Sequence, residues 1–231
     1  MSIPKKIFFL LIAIVLNLFL VGGFLMIREK TMENNLRKEI KSLESYDLTT
    51  NRYNTKIKTK KDYAIVEKAI KEYLDSTAIL MQDTLTIVKE PTLLNILSYQ
   101  NYQEDSPDFT NSLSYLTEEK KNFNENISIL LERLEEEKIK NYIETKTNKK
   151  NLRELYNELI LSNSMKAYLE ETKSLLEKNQ ERINEMIDTS SDILTLLKAN
   201  KNSWLLEEGE IRFQKESLYK EYMKNLMKIN K

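Results

Sequence analysis

The sequence contains no cysteine and no histidine. Without cysteine the chain has no disulfide, no thiol nucleophile and no thiolate metal ligand. Without histidine it lacks the commonest general base and the commonest transition-metal ligand. Carboxylates, lysines, tyrosines and hydroxyls remain, and they are abundant in a polar chain for reasons of solubility. We therefore expect no enzyme activity, no cofactor and no metal site.

Glycine and proline are also scarce, with three of each in 231 residues. Few tight turns or phosphate-binding loops can form, so the chain is predicted to be all-α. The 36 basic residues balance the 36 acidic ones. A chain without net charge has no overall field to attract nucleic acid, and we expect none to bind.

The longest apolar stretch is residues 7–27, IFFLLIAIVLNLFLVGGFLMI, which contains no charged residue. As a helix it would be about 31 Å long, close to the thickness of the hydrocarbon core of a bilayer. It follows a short basic head, residues 1–6, with Lys5 and Lys6 at its end. We interpret it as a transmembrane anchor, which makes the membrane itself a partner and predicts a single-pass protein of the cell membrane.

Two alternatives concern this anchor. Cleavage after Gly23 would make it a signal peptide, but the apolar run continues beyond that point and is longer than a signal-peptide core. The basic residues after Ile27 would place the domain that follows in the cytoplasm if the positive-inside rule were used alone. Long domains, however, cross membranes largely regardless of charge, and a short basic head before the span is typical of a signal anchor. We favour a domain outside the cytoplasm.

Residues 28–59 are interpreted as a juxtamembrane helix and linker. The part from residue 45 onward is polar, and its basic residues include Arg52, Lys56 and Lys58. They could contact anionic lipid headgroups or wall polymers. The simpler interpretation is a solvated spacer.

Residues 60–231 are predicted to form an antiparallel helical bundle around a single core. Its first helix opens near Thr59 and places apolar residues three and four positions apart, from Tyr63 to Val88. Lys68, Lys71, Glu72 and Asp75 fall on the face predicted to be in water. Pro91 is expected to end this helix.

Residues 98–106 are predicted to be a loop that carries Tyr99 and Tyr102. Tyrosines in such a loop could contact a polar ligand or a partner, because they offer a large surface at low entropic cost. They could equally fold back onto the bundle. Ser106 and Pro107 are expected to begin the second long helix, as its cap and its first residue.

The second long helix, to about Glu137, carries Lys120 where its apolar stripe calls for an apolar residue. Such a lysine usually extends its ammonium into water while its methylenes pack. It could instead be a buried charge that fixes register or contacts a ligand. The acidic run at Glu132 and Glu135–Glu137 is interpreted as a solvated face rather than a cation site.

The last long helix is expected to begin near Ser162 or Ser164 and to kink or restart at residues 189–192. Thr172 and Asn179 interrupt its apolar stripe, and polar residues there can set how helices pair. Beyond it, Gly209 lies between two alternating segments and favours a small C-terminal hairpin. Trp204 is expected to close one end of the bundle, or alternatively to line a ligand pocket.

Three segments, Leu169–Glu177, Asn200–Trp204 and Ile211–Phe213, resemble sequences in a group of uncharacterised single-pass membrane proteins of Gram-positive bacteria. The similarity extends from about Lys60 onward. It implies an anchored helical domain on the outer side of the membrane, and it carries no functional residue over to this chain.

The favoured function is a membrane-tethered interaction or structural module at the cell envelope, with a protein partner of unknown identity. The alternative is an extracytoplasmic ligand-binding or sensory module that acts through a partner protein. Tyr99, Tyr102, Lys120 and Trp204 are the candidate contact residues. A deep pocket with convergent polar groups would favour the alternative, and a filled core without one would favour the first function.

Overall fold

A computed structural model of the chain describes residues 28–43 and 53–229. These residues are mostly helical, with one two-stranded hairpin near the C-terminus, which confirms the predicted helical bundle and hairpin. No helix among them is long and apolar enough to cross a membrane. The predicted anchor, residues 7–27, lies outside the described residues.

The described residues 28–43 are helical and are called α1. The later helices are α2 (Asp62–Leu85), α3 (Pro91–Leu94), α4 (Tyr99–Asp105), α5 (Thr110–Arg133), α6 (Glu136–Tyr142), α7 (Lys150–Ile160), α8 (Asn163–Ala199) and α9 (Glu216–Ile229). From α2 to α8 the helices follow one another with short connections, and the hairpin separates α8 from α9. Short 3₁₀ turns, Thr86–Lys89 and Ile143–Thr145, extend α2 and α6.

The described residues form two compact units. Unit 1 contains residues 28–43, Tyr53–Asp75 and Ile139–Met165, and unit 2 contains Ser76–Lys138 and residues 166–229. The sequence predicts one bundle over residues 60–231, whereas the structure groups the start of α2 and all of α7 with α1. The division between the units falls inside α2 and near the start of α8.

The core of unit 1 is built from the buried faces of its helices. In α1 the buried residues are Leu36, Ile40 and Leu43, spaced as one helical stripe. In α7 they are Leu152, Tyr156, Leu159 and Ile160. The start of α2 is buried on more than one side, because the charged Glu67 and Lys71 are as inaccessible to solvent as Val66 and Ile70. The prediction that Lys71 lies on a wet face is wrong.

Unit 2 is built on the stripes of α5 and α8. Phe109, just before α5, is buried, as are Leu116, Phe123, Ile127 and Leu130 on its stripe, which confirms the predicted packing face. The buried residues of α8 in this unit include Leu176, Ile183, Ile187, Leu194 and Leu197. The α8 helix runs without interruption through residues 189–192, so it does not restart there, and a kink at this place stays a prediction. Thr189 and Ser190 are buried there, and the Ser190 hydroxyl donates to the Met186 carbonyl.

The hairpin pairs β1 (Trp204–Glu207) with β2 (Glu210–Phe213) in antiparallel register. Its two turn residues, Glu208 and Gly209, both have positive φ, 51° and 87°. This is the backbone that a tight two-residue hairpin needs, and glycine adopts it without a steric penalty.

The segment predicted as a loop, residues 98–106, contains the helix α4 with Ser98 and Ser106 at its ends, which corrects the prediction. The Ser98 hydroxyl accepts a hydrogen bond from the backbone amide of Asn101 and caps α4. Ser106 and Pro107 do not begin the next helix either. The helix α5 starts at Thr110, and its free amides at Asn111 and Ser112 donate to the carboxylate of Asp105. The carboxylate of Asp105 therefore caps α5, which is the role predicted for Ser106.

Candidate functional site

Unit 2 contains an open cleft of about 1200 Å³. The end of α2 with its 3₁₀ extension, the middle of α8 and the end of α9 line it. Apolar side chains from all three elements reach it, namely Leu85, Val88, Ile183, Met186 and Ile229. It is larger than the roughly 300–1,000 Å³ of a typical small-molecule pocket.

Three cations also line this cleft: Lys89, Arg182 and Lys228. All three are exposed, and none has an ion-pair partner within 4.0 Å among the described residues. Glu185 is the one acidic residue among the described residues of the lining. The cleft thus offers apolar surface together with unneutralised positive charge.

A second feature, in unit 1, is a buried ionic network centred on Lys71. Its ammonium Nζ lies 2.8 Å from Oε1 of Glu39 on α1, 2.7 Å from the carbonyl of Lys56 and 2.7 Å from Oε1 of Glu67. These three acceptors match the three N–H donors of an ammonium. The side chains of Lys71 and Glu67 have no exposed surface, and that of Glu39 is 11% exposed.

The carboxylate of Glu67 is satisfied from the opposite side by the segment before α2. It accepts hydrogen bonds from the backbone amide of Lys58 and from both the amide and the hydroxyl of Thr59. Thr59 therefore bonds Glu67 instead of capping the helix. Because every polar group of the network has partners, the network can fix how α1, α2 and residues 56–59 pack.

The network also sets the pKa values of its two acids. Burial alone would raise the pKa of Glu67, but hydrogen bonds from Lys71, Thr59 and two backbone amides outweigh it, and the pKa is lowered. The pKa of Glu39 is lowered in the same way, because hydrogen bonds from Lys58 and Lys71 outweigh its desolvation. Both acids are therefore held in the charged form.

Beside this network, Arg37 on α1 binds Glu158 on α7. Its two terminal nitrogens lie 2.7 and 3.0 Å from the two carboxylate oxygens, a bidentate pair. The pKa of Glu158 is lowered chiefly by this hydrogen bond. Apolar packing and two separate ionic contacts thus hold α1 against the other elements of unit 1.

Of the four predicted contact residues, the structure brings Tyr102 and Trp204 together around Phe109. The Tyr102 ring meets Phe109 edge-on, and the Trp204 ring stacks on Phe109 with the two ring centroids 5.9 Å apart. Tyr102 is 1% exposed and Trp204 7%. The indole N–H of Trp204 donates to the Leu197 carbonyl at 2.7 Å. A ligand would reach either ring only if this core opened.

Tyr99 and Lys120 lie apart from that cluster. Tyr99 is half-buried on the first turn of α4. Lys120 extends its ammonium to the carboxylate of Asp188 on α8, at 2.6 and 2.7 Å, in a pair that is partly exposed on both sides. Contacts of Tyr99 and Lys120 with a ligand or partner stay predictions.

Sequence reasoning missed the cleft and the Lys71 network. The signal for the cleft was Asn179, a polar residue on the inner stripe of α8, which lines it. A related polar cluster also joins α5 to α8: the amide oxygen of Asn124 accepts from Gln180 at 2.7 Å and from Asn184 at 2.9 Å. Among residues 28–43 and 53–229, no group of three or more acidic side chains is placed to hold a metal ion.

The fold and these sites define a helical protein of two units with an open, cationic and partly apolar cleft. Comparison of the chain with models of known families, with curated proteins and with solved structures finds no match. The resemblance to single-pass membrane proteins of Gram-positive bacteria therefore stays a prediction.

Proposed function

We propose that the chain is a membrane-tethered helical interaction module that binds a partner protein in the cleft of unit 2. The cleft carries this proposal. Five apolar residues line it, it is open to solvent, and its three cations have no ion-pair partner among the described residues. The aromatic cluster of Tyr102, Phe109 and Trp204 is buried, so the open cleft is the feature of unit 2 that needs an explanation.

The charge of the cleft supports one kind of partner, an amphipathic helix with acidic residues on both sides of its apolar face. Docking a helix into a groove between helices is a common mode of recognition. The apolar residues of such a partner would cover Leu85, Ile183 and Met186. Its carboxylates would neutralise Lys89 and Arg182, which also speeds the encounter.

The tether is proposed from the apolar stretch 7–27, and the contacts of α1 support its use as an anchor. The described part of α1 starts at residue 28 and is held to the other elements of unit 1 through Glu39 and Arg37. A firm junction of this kind suits a domain that is held at a surface. We further propose that the domain lies outside the cytoplasm.

A photo-reactive cross-linker in the cleft tests the partner. It is placed at Val88, which is 37% exposed, and at Ile129 on α5, which is 51% exposed, as the matched control. In the cells that make the protein, we expect a protein adduct at position 88 and none at position 129. Mass spectrometry should map the adduct to a helix with acidic flanks, and Arg182→Glu should abolish it. Equal adducts at both positions, or none at position 88, would refute the proposal.

A protease test addresses the location of the domain. With a tag after Lys231, protease added to intact cells should remove the tag while a cytoplasmic protein stays intact. Protection of the tag until the membrane is opened would place the domain in the cytoplasm and restrict the partner to cytosolic proteins.

The alternative, a ligand-binding or sensory module, would use the same cleft for a small amphiphilic anion. It would give no protein adduct at position 88, whereas added amphiphile would protect that position from labelling. The volume of the cleft favours the larger occupant.

A further inference from the structure

The outer face of α9 carries an exposed apolar groove with a basic border. Tyr219, Met223 and Met227, spaced four residues apart, form its apolar part, and Tyr219 and Met227 are 48% and 59% exposed. Lys220, Lys224 and Lys228 line the same groove, whose volume is about 570 Å³. We call these six residues the α9 face.

The α9 face is positively charged. No acidic residue is among the six that line it. Lys220 pairs with Glu216 one turn earlier at 2.7 Å, but both side chains are more than 70% exposed, so the pair is weak. Lys224 and Lys228 have no ion-pair partner within 4.0 Å in the part of the chain that the structure describes. The lysines therefore remain available to an anionic surface.

From this geometry we infer that the α9 face docks on an anionic phospholipid membrane. A helix with apolar residues on one side and lysines beside them is the pattern of helices that lie in the membrane interface. Tyr219, Met223 and Met227 would enter the boundary between headgroups and acyl chains. The lysines would reach the lipid phosphates, because their long stems let the ammonium extend toward the headgroups.

Other occupants fit the face less well. A second copy of α9 would bring its own three lysines against these three, which like-charge repulsion disfavours. An anionic polymer would attract the lysines but would leave the tyrosine and both methionines in water. Only a surface that is both anionic and apolar satisfies all six residues.

The inference rests on the proposed function, because the tether keeps a membrane within reach of α9. A tethered domain meets its membrane at a high effective concentration, so a contact of one helix face is enough for docking. The free domain would need a much stronger contact to bind the same surface.

The absence of cysteine makes the test direct, because a single introduced cysteine is the only labelling site. The full chain with Met227→Cys carries an environment-sensitive dye and is reconstituted in phosphatidylcholine vesicles with or without phosphatidylglycerol. Lipids brominated on their acyl chains serve as quenchers. A chain with Ile129→Cys is the matched control for exposure.

We expect the dye at position 227 to shift to the blue and to be quenched only when phosphatidylglycerol is present. The dye at position 129 should respond equally in both vesicles. Lys224→Gln should lower the ratio of docked to undocked chain about five-fold, and Lys224→Arg should restore it. Lys121→Gln, at an exposed position of α5, should have no effect.

Three results would overturn the inference, and they are distinguishable. If the chain resists alkaline extraction from the vesicles but the dye at position 227 responds no more than the dye at position 129, the docking of α9 fails while the tether stands. If alkaline extraction releases the chain, the tether fails and the docking inference falls with it. Equal responses at position 227 with and without phosphatidylglycerol would also refute the role of the lysines.

Discussion

The ammonium of Lys71 lies 2.7 Å from the carboxylate of Glu67, one turn earlier on α2, and neither side chain is exposed to solvent. Burying two charges costs solvation energy, which their attraction offsets only if every remaining polar group is bonded. Here Glu39, the Lys56 carbonyl, Thr59 and two backbone amides complete the set. The network therefore stabilises unit 1 only when all its members are present. If one member is lost, the remaining buried groups keep their desolvation cost without the partner that offset it.

Lys71→Met should open this part of unit 1. The substitution leaves the Glu67 carboxylate buried without its cation, a loss of about 3–5 kcal/mol. Hydrogen exchange of peptides that contain the amides of Lys58 and Thr59 should speed up by more than about 100-fold in the full chain. The control is Lys68→Met on the same helix, whose lysine is 64% exposed and whose effect should stay within about 0.5 kcal/mol. Equal exchange in both variants would contradict the network.

Acid should destabilise unit 1 through the same carboxylates. The folded-state pKa values of Glu67 and Glu39 are lowered from 4.5. A lowered pKa stabilises the fold at pH values above 4.5, and this stabilisation is lost as the pH falls through the folded-state pKa. The thermal midpoint, followed by circular dichroism, should fall steeply below pH 4.5.

Glu67→Gln provides the comparison for this acid effect. The variant should have a lower midpoint at pH 7, because Lys71 loses a charged partner, and a shallower fall below pH 4.5. A fall as steep as that of the unmodified chain would assign the acid sensitivity to other carboxylates.

Asp105→Ala should destabilise unit 2 through the start of α5. The carboxylate accepts from the amides of Asn111 and Ser112, and these bonds outweigh burial and lower its pKa. Loss of such a cap costs about 1–2 kcal/mol. Urea unfolding followed by the fluorescence of Trp204 reports on this unit, since no other tryptophan exists. Asp108→Ala, an exposed neighbour, should leave the midpoint unchanged.

Lys120→Met should have little effect, although Lys120 interrupts an apolar stripe. Its partner Asp188 is 57% exposed and the ammonium is partly in water, so the pair contributes at most about 1 kcal/mol. The same urea titration measures the change. A loss as large as the one expected for Lys71→Met would show that Lys120 is a buried charge after all.

Lys71 and Lys120 show how much of this fold the sequence predicts. Lys120 sits on a regular apolar stripe, and the expected extension of its ammonium toward water agrees with the Asp188 pair. The sequence predicts Lys71 on the face in water, because hydrophobic periodicity registers apolar residues only. Its burial depends on Glu39, 32 residues earlier on another helix, and no local pattern reveals such a partner.

Other outcomes have similar physical causes. The hairpin was predictable because one glycine in a turn between alternating residues is a strong local signal. The α4 helix was missed because it has one fully buried residue, Tyr102, and is held by the cap at Ser98. Asn179 alone does not predict the cleft, since three elements far apart in the sequence form it.

Because the segments of the two units alternate along the sequence, the units fold in a fixed order during synthesis. Unit 1 closes only when residues 139–165 have left the ribosome, although α1 and the start of α2 emerge long before. Unit 2 waits longer, because Tyr222 near the end of the chain lies against Tyr102 and Phe213. At roughly 5–20 residues per second, half-made chains expose apolar faces for several seconds. A nascent chain of this kind benefits from a chaperone. A premature stop codon in α9 removes Tyr222, which packs against Tyr102, 120 residues earlier in the sequence.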